Sequence, residues 1–348
     1  MTGKYRQSDP FGIQRVVQQK GVLPQQAEKL DPSLPLAEDE LLIEVESLNI
    51  DSASFHQISG ACGGQLDQIE KHILNLVALR GKHHNPVTGS GGMLIGRVSE
   101  IGPDFPLREK PVRVGDRIAT LVSLSLTPLK IEKIRKIHTK IDRVDIDGQA
   151  ILFASGIFAQ LPNDLPETVA LAVLDVAGAP AQTRKLVHED QTVMVIGGGG
   201  KSGVLCLYEA KKKRGVKTIA VDYSEEAIKR LRSLPFVDHV IQGDARSAVE
   251  IMHQVAQVTH QRMADVTINV ANIPETEMSC ILSTRSGGVV YFFSMATSFT
   301  RAALGAEGVG ADIDLRIGNG YTHGHADLAL DLIRESAELR RLFLETYC

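Results

Sequence analysis

Apolar and polar positions along the chain follow two rhythms, which change near Pro162. Before it, ELLIEVESLNI (40–50) and GMLIGRVSEIG (92–102) are β-rich, and VRVGDRIATLVSL (112–124) follows the Pro-rich turn PDFPLREKP. One helix interrupts them: LDQIEKHILNLVALRG (66–81) sets Ile69, Ile73, Leu76 and Val77 at helical spacing, with Gly81 as its stop. This half predicts a compact β-barrel-like unit of short strands with an inserted helix.

Beyond Pro162, ETVALAVLDVAGAPAQTRKL (167–186) is an apolar helical stretch. Strand and helix then alternate through VMVIG, LCLYEAKKK, VKTIAVD, EEAIKRLRS, VDHVIQ, AVEIMHQVAQV, ADVTINVA and GGVVYFFS. Strands alternating with helices of this length predict an α/β fold with a doubly wound parallel sheet. DIDLRIG is expected as a sixth strand. HADLALDLIRESAELRRLFLE predicts one amphipathic helix with Leu328, Leu332, Ile333 and Leu339 on one side. Two domains follow: residues 1–162, joined by the helix at about 325–348, and residues 163–324.

Composition adds exclusions. The 348 residues are 43% hydrophobic and 23% charged with a net charge of −4, which leaves no electrostatic footprint for nucleic acid. The densest basic run, KKKRG (211–215), sits at the end of an expected helix, where cations complement the dipole. Cys62, Cys206, Cys280 and Cys348 have neither disulfide-scaffold nor zinc-knuckle spacing. No signal-like apolar segment opens the sequence and no run of 18 apolar residues occurs, so a cytoplasmic protein that binds no membrane is expected.

The chemistry starts at VMVIGGGGKSG (193–203). Gly198, Gly200 and Gly203 satisfy G-x-G-x-x-G directly after a strand and at the start of a helix, although Gly197, Gly199 and Ser202 offer a second register. The glycines allow a tight turn, close backbone approach to a pyrophosphate, and close helix packing. Backbone N–H groups around Lys201 and Ser202 at the helix start face the phosphates. Asp222 ends the next strand, beside Tyr223; a carboxylate there accepts from ribose hydroxyls and repels a 2′-phosphate, which favours NAD over NADP. The ends of later strands add Asp244 and Ala245, Ala271 and Asn272, and Ser294 as cofactor contacts. GKS at 200–202 is not a P-loop, because Val195 stands where that motif needs glycine. An S-adenosylmethionine methyltransferase remains an alternative, opposed by the β-rich half that precedes the loop.

A β-rich first half, the GDR turn at 115–117, a nucleotide fold and a final helix together resemble the medium-chain dehydrogenase/reductase superfamily. DPFGIQRVVQQKGVLPQQA, LNIDSASF, GKHHNPVTGSGGMLIG and QTVMVIGGGGKSG are similar to its 3,5-diaminohexanoate dehydrogenase family, from about Asp9 onward. The resemblance implies a GroES-like substrate domain beside a Rossmann domain. It also implies NAD-dependent oxidative deamination of (3S,5S)-3,5-diaminohexanoate to 5-amino-3-oxohexanoate, with release of ammonia. Zinc-dependent superfamily members carry a cysteine after the first long strand and a G-H-E segment; here Asp51 and Ser52 occupy the first region and GSGGM the second, so no metal is expected. His83 and His84, adjacent in an extended loop, point to opposite faces.

Such a reaction needs a base for the substrate ammonium, a carboxylate for the second amine, and donors for the substrate carboxylate. Asp51 is the candidate for the amine and His84 the candidate base; a turn-capping aspartate and a surface histidine are their alternatives. Ser52, Lys82, Asn85, Thr88, Ser90 and Asn319 are the candidate substrate contacts. Gly89, Gly91 and Gly92 would shape a wall close to a ligand, and these groups are expected where the domains meet. DIDLRIG pairing across a two-fold axis would make a homodimer. A zinc-free quinone or enoyl-thioester reductase, and a nucleotide-binding redox sensor without turnover, are the remaining readings.

Overall fold

The computed structural model describes residues 6, 8–19, 21–107, 111–318 and 320–347. The chain divides into two units, Met1–Asn163 and Asp164–Cys348.

The first unit is built on an antiparallel sheet. Its strands are β1 (Leu41–Asn49), β2 (Met93–Ile101), β3 (Arg117–Thr120), β4 (Leu129–His138), β5 (Arg143–Leu152) and β6 (Phe158–Gln160), in the order β4-β5-β1-β2-β3-β6. β1 is central, and its pairings with both β2 and β5 shift register between Val45 and Ser47. The β4–β5 hairpin went unmarked by the periodicity. Two helices lie between β1 and β2, α1 (Ser52–Ala61) and α2 (Leu66–Arg80). α2 forms where the spacing placed it: Ile69, Ile73 and Val77 are fully buried, and Gly81 ends it in the left-handed conformation. The sequence marks α1 by no more than a turn-capping aspartate. Asp51 is its N-cap, and Phe55 and Ile58 drive its inner face into the core with Ile43, Leu48, Leu94 and Val144.

The segment before β1 is pinned by a buried ion pair. Arg15 and Glu40 are both fully enclosed; Arg15 Nε donates to Glu40 Oε1 at 2.9 Å and its Nη1 to the Ser33 carbonyl at 2.5 Å.

The second unit holds a parallel sheet whose strands are joined by helices. Its strands are β7 (Thr192–Ile196), β8 (Lys217–Asp222), β9 (His239–Gln242), β10 (Ala264–Asn269), β11 (Thr284–Phe292) and β12 (Asp314–Ile317). The order β12-β11-β10-β7-β8-β9 is the doubly wound pattern, with its switch point between β7 and β10. The connecting helices are α5 (Lys201–Lys211), α6 (Glu225–Arg232), α7 (Ala248–Val258), α8 (Glu277–Leu282) and α9 (Phe299–Gly308). The expected helix over 167–186 is two, α3 (Glu167–Leu174) and α4 (Gly178–Leu186). Pro180 accounts for the break: inside a continuous helix its ring would meet the Val176 carbonyl, whereas in the first turn of α4 it costs no hydrogen bond.

The final stretch also departs from a single helix. It forms α10 (His325–Glu335), α11 (Ala337–Leu342) and a π-helical turn, Phe343–Tyr347. Ser336 makes the break by capping α11 through Leu339 N at 3.1 Å. These elements belong to the second unit, not the first, and α10 packs on α3, α4 and α5. The KKKRG run ends α5, with Lys211 paired to Asp238 and Lys212 to Glu335. Among the described residues no helix is long and apolar enough to cross a membrane.

Candidate active site

In the first unit, α1 and the 81–92 loop meet around Ser54, a residue the sequence reading did not single out. Asp51 Oδ1 accepts from Ser54 N at 3.2 Å, capping α1. Ser54 Oγ, fully buried, lies 2.5 Å from Thr88 Oγ1 and 2.7 Å from Ser90 Oγ. The Ser54 carbonyl accepts from Asn85 Nδ2 at 3.4 Å. A single residue thus ties the helix N-terminus to three of the loop candidates. The available signal was the D-S-A-S order, an N-cap followed three residues later by a side chain facing the next loop.

Asp51 is half-buried, and its Oδ2 has no partner among the described residues, so capping leaves one carboxylate oxygen available. Ser52 is exposed and donates to Asp142 Oδ2 at 2.6 Å. Asp142 turns the β4–β5 hairpin at φ 53° and accepts Ile50 N on its carbonyl at 2.9 Å. The end of β1 is therefore held from a second direction.

Two substrate assignments are corrected by the loop's own bonding. Lys82 is fully buried and donates to the carbonyls of Pro24 (2.8 Å) and Gln25 (3.1 Å), so it braces the segment before β1 and is not offered to a ligand. Burial, with Arg80 nearby, lowers its pKa to about 8. Asn85 is also buried and its amide is committed. Nδ2 donates to Gln57 Oε1 at 2.8 Å, and Oδ1 accepts from Val87 N at 2.9 Å, so it shapes the loop. Asn319 lies outside the described residues.

His83 and His84 differ as their opposite directions require. His83 is buried; Nδ1 donates to the Gly91 carbonyl at 3.2 Å, while Nε2 is enclosed without a partner among the described residues. Burial lowers its pKa to about 4. His84 is half-buried, its Nδ1 enclosed and without a partner among the described residues, and burial followed by the charges of Lys82 and Arg80 lowers its pKa. The glycines do what the loop demanded: at Gly92 (φ 98°) a Cβ would lie 2.1 Å from the Asn49 carbonyl oxygen, and at Gly91 it would lie 2.5 Å from that of His83.

In the second unit the remaining candidates line the carboxyl ends of β7 to β11. The backbone gives the turn itself to Gly197, one residue before Gly198, while Gly200 and Gly203 stand where the motif places them. Gly197 takes the positive φ of the tight turn, 82°, because it leaves β7 against Ala271. Gly200 caps α5, and a Cβ there would meet nothing closer than 3.6 Å, which makes it the open position. Gly203 packs the helix on the turn, its Cβ position 2.3 Å from the Gly197 carbonyl oxygen. Gly198 and Gly199 are wedged instead against Ala220 and Ala227. α5 starts with no side-chain cap, so its first N–H groups remain for an anion.

Asp222 is half-buried and works for the loop. Oδ2 accepts from Gly199 N at 2.9 Å; Oδ1 accepts from Tyr223 N at 2.8 Å and Ser224 N at 3.3 Å. A carboxylate offers about four acceptor sites, which leaves room for a ribose hydroxyl. Tyr223 is exposed, and Lys201 Nζ pairs with Asp175 at 2.7 Å. Asp244 is held well below the usual carboxylate range, at about 2, by its Arg246 partner, and Ala245 offers a buried surface. Ser294 lines an apolar cavity of ≈160 Å³ with Phe292, Met295, Thr297, Phe299 and Ile317. A larger hollow of ≈290 Å³ on the first unit's sheet is lined by ion pairs such as Arg135–Asp147 and by none of the described candidates. Among the described residues no three His, Cys, Asp or Glu side chains gather as a metal group.

An antiparallel-sheet unit followed by a doubly wound parallel sheet with a glycine-rich first turn is the architecture of medium-chain dehydrogenases and reductases. Solved structures with it include a mycobacterial quinone oxidoreductase (TM-score 0.56, 17% identity, 93% of this chain and 92% of that one). The Escherichia coli quinone oxidoreductase complexed with NADPH shares it too (TM-score 0.53, 16% identity, 90% and 85%). At those identities the likeness concerns the fold alone.

Sequence comparison narrows the class. Residues 14–162 match the family model described as the L-erythro-3,5-diaminohexanoate dehydrogenase N-terminal domain. The chain is 51% identical to the L-erythro-3,5-diaminohexanoate dehydrogenase of Acetoanaerobium sticklandii, over 97% of this chain and 98% of that one. It is 50% identical to the enzyme of that name from Fusobacterium nucleatum, over the same shares. The chain belongs to the L-erythro-3,5-diaminohexanoate dehydrogenase family.

Proposed function

We propose that this protein converts 3,5-diaminohexanoate, NAD and water to 5-amino-3-oxohexanoate, ammonia, NADH and a proton. The observation that carries the reading is the 51% identity to a named relative along 97% of the chain. Asp222 at the end of β8 supports NAD over NADP, because a second negative charge beside it would be repelled. The open Gly200 and the uncapped start of α5 suit a pyrophosphate, and the spare acceptor capacity of Asp222 suits the ribose. NAD supplies the two-electron acceptor for oxidation at the amine-bearing carbon.

The protein's part is proton handling and charge placement. His84 is neutral at neutral pH because burial and two cations hold its pKa down, so it accepts a proton from the substrate ammonium. Its Nδ1 is sealed in, which leaves Nε2 as the nitrogen that does this. Asp51 Oδ2 takes the second amine, and the Thr88 and Ser90 hydroxyls, set by Ser54, receive the substrate carboxylate. The exposed strand β12, which leaves Ile317 open to solvent, supports a homodimer formed by β12 edges. The cytoplasm is the compartment proposed.

The first test is NADH and ammonia formation from NAD and racemic 3,5-diaminohexanoate, with and without a chelator. Loss of His84 as His84→Ala lowers kcat by roughly 10²–10⁴-fold, while Asp51→Asn raises KM for the diamino acid. Near-normal turnover by either variant, with folding intact, removes that assignment.

A further inference from the structure

We propose that Tyr347, with Arg230, is a positioning residue for the dinucleotide: it sets the Gly199–Gly200 peptide before the cofactor arrives. The proposal rests on reading the glycine loop as the NAD site. Tyr347 Oη donates to the Gly199 carbonyl oxygen at 2.5 Å, and Arg230 Nη2 donates to the same oxygen at 3.4 Å. The other end of that peptide is fixed as well, since Gly200 N donates to the Gly197 carbonyl at 3.2 Å. One residue earlier, Gly199 N is held by Asp222. The peptide leading into the open glycine is therefore secured at both its polar groups.

Four consecutive glycines explain why such an outside hold is needed. Glycine has more backbone freedom to lose than any other residue, and the run 197–200 has no side chain with which to order itself. If the ligand had to order the loop, binding would be weakened by that entropy; a loop ordered in advance spares it. Tyr347 is suited to the task because its own position is secured. Its ring sits edge-on to Phe343, with centroids 5.0 Å apart at 69°, and Phe343 is fully buried. Arg230 stands on α6 with its Nη1 on Glu226 Oε1 at 2.8 Å. They hold the carbonyl of the same glycine whose N–H Asp222 holds, and that carboxylate is where the adenosine ribose would rest.

The test is direct NAD binding by calorimetry for the wild-type protein, Tyr347→Phe and Arg230→Gln. Tyr347→Phe keeps the ring on Phe343 and deletes only the hydroxyl. The expected result is NAD binding weakened about 5- to 10-fold, the worth of one hydrogen bond. The melting temperature should hold, with the effect on KM for NAD and none on KM for the amine substrate. Because both side chains hold one oxygen, the double variant should lose less than the product of the single losses. Unchanged binding by Tyr347→Phe overturns the proposal, and tighter binding overturns it by showing that the phenol obstructs the site. A wild-type protein that binds no NAD overturns the cofactor reading itself, and that measurement comes first.

Discussion

His83 offers a perturbation whose size follows from its surroundings. Its ring is enclosed, one nitrogen donates to the Gly91 carbonyl, and the other has no hydrogen-bond partner among the described residues. The folded protein therefore holds it near pKa 4, against 6.5 for an open imidazole. A base whose folded pKa is depressed contributes stability that is fully present above 6.5 and is lost as pH falls toward 4, because the unfolded chain binds the proton and the folded one does not. The loss is about 2 kcal/mol at pH 5 and about 3 kcal/mol at pH 4. For a unit of this size, 2 kcal/mol lowers the melting temperature by roughly 4–8 °C. The assay is urea unfolding at pH 7 and pH 5 for the wild type and for His83→Asn, whose amide nitrogen can replace Nδ1 on Gly91. The variant should lack about 2 kcal/mol of the wild type's decrease between the two pH values. An equal decrease in both proteins refutes the reasoning, since other titrating groups would then account for all of it. The consequence reaches function, because the same loop carries His84, Thr88 and Ser90.

Two further outcomes test the fold and the cofactor loop. Gly203→Ala places a Cβ 2.3 Å from the Gly197 carbonyl oxygen, so α5 must retreat by about 1 Å to reach an ordinary contact. Losing one charge-assisted bond to a phosphate, about 1.5–3 kcal/mol, weakens NAD binding roughly 10- to 100-fold; an unaltered Kd by calorimetry contradicts this. Arg15→Met strands Glu40 inside the first unit and costs about 3–5 kcal/mol in denaturant unfolding. Changing Glu40→Leu as well should restore most of it, and a double variant no better than the single one excludes the uncompensated charge as the cause.

The amphipathic spacing of Ile69, Ile73 and Val77 and the left-handed stop at Gly81 were legible because a helix with its own cap is decided locally. The alternation after Pro162, and Asp222 at the end of the second strand of the parallel sheet, were legible for the same reason: each βα unit writes its period and its turn in adjacent residues. α1 escaped because Asp51 signals a turn and an N-cap with equal force, and only Phe55 and Ile58 finding a core distinguishes them. Which glycine makes the turn was not legible either, since four identical residues carry no local mark of the one that takes positive φ, Gly197.

By itself the sequence marked the class of fold and the resemblance to a family from patterns spread along the chain, and the glycine loop with its acidic partner Asp222 from a stretch of about 25 residues. The tertiary structure decided which polar groups remain open to a ligand. Lys82 looked like a cation for a substrate until the Pro24 and Gln25 carbonyls enclosed it, and Asn85 looked like a contact until Gln57 and Val87 occupied its amide. Ser54 and Tyr347 acquired roles only when the chain brought Thr88 to the one and Gly199 to the other. The physical reason is that a polar group in the interior must find partners, and those partners are chosen by packing between residues far apart in the chain.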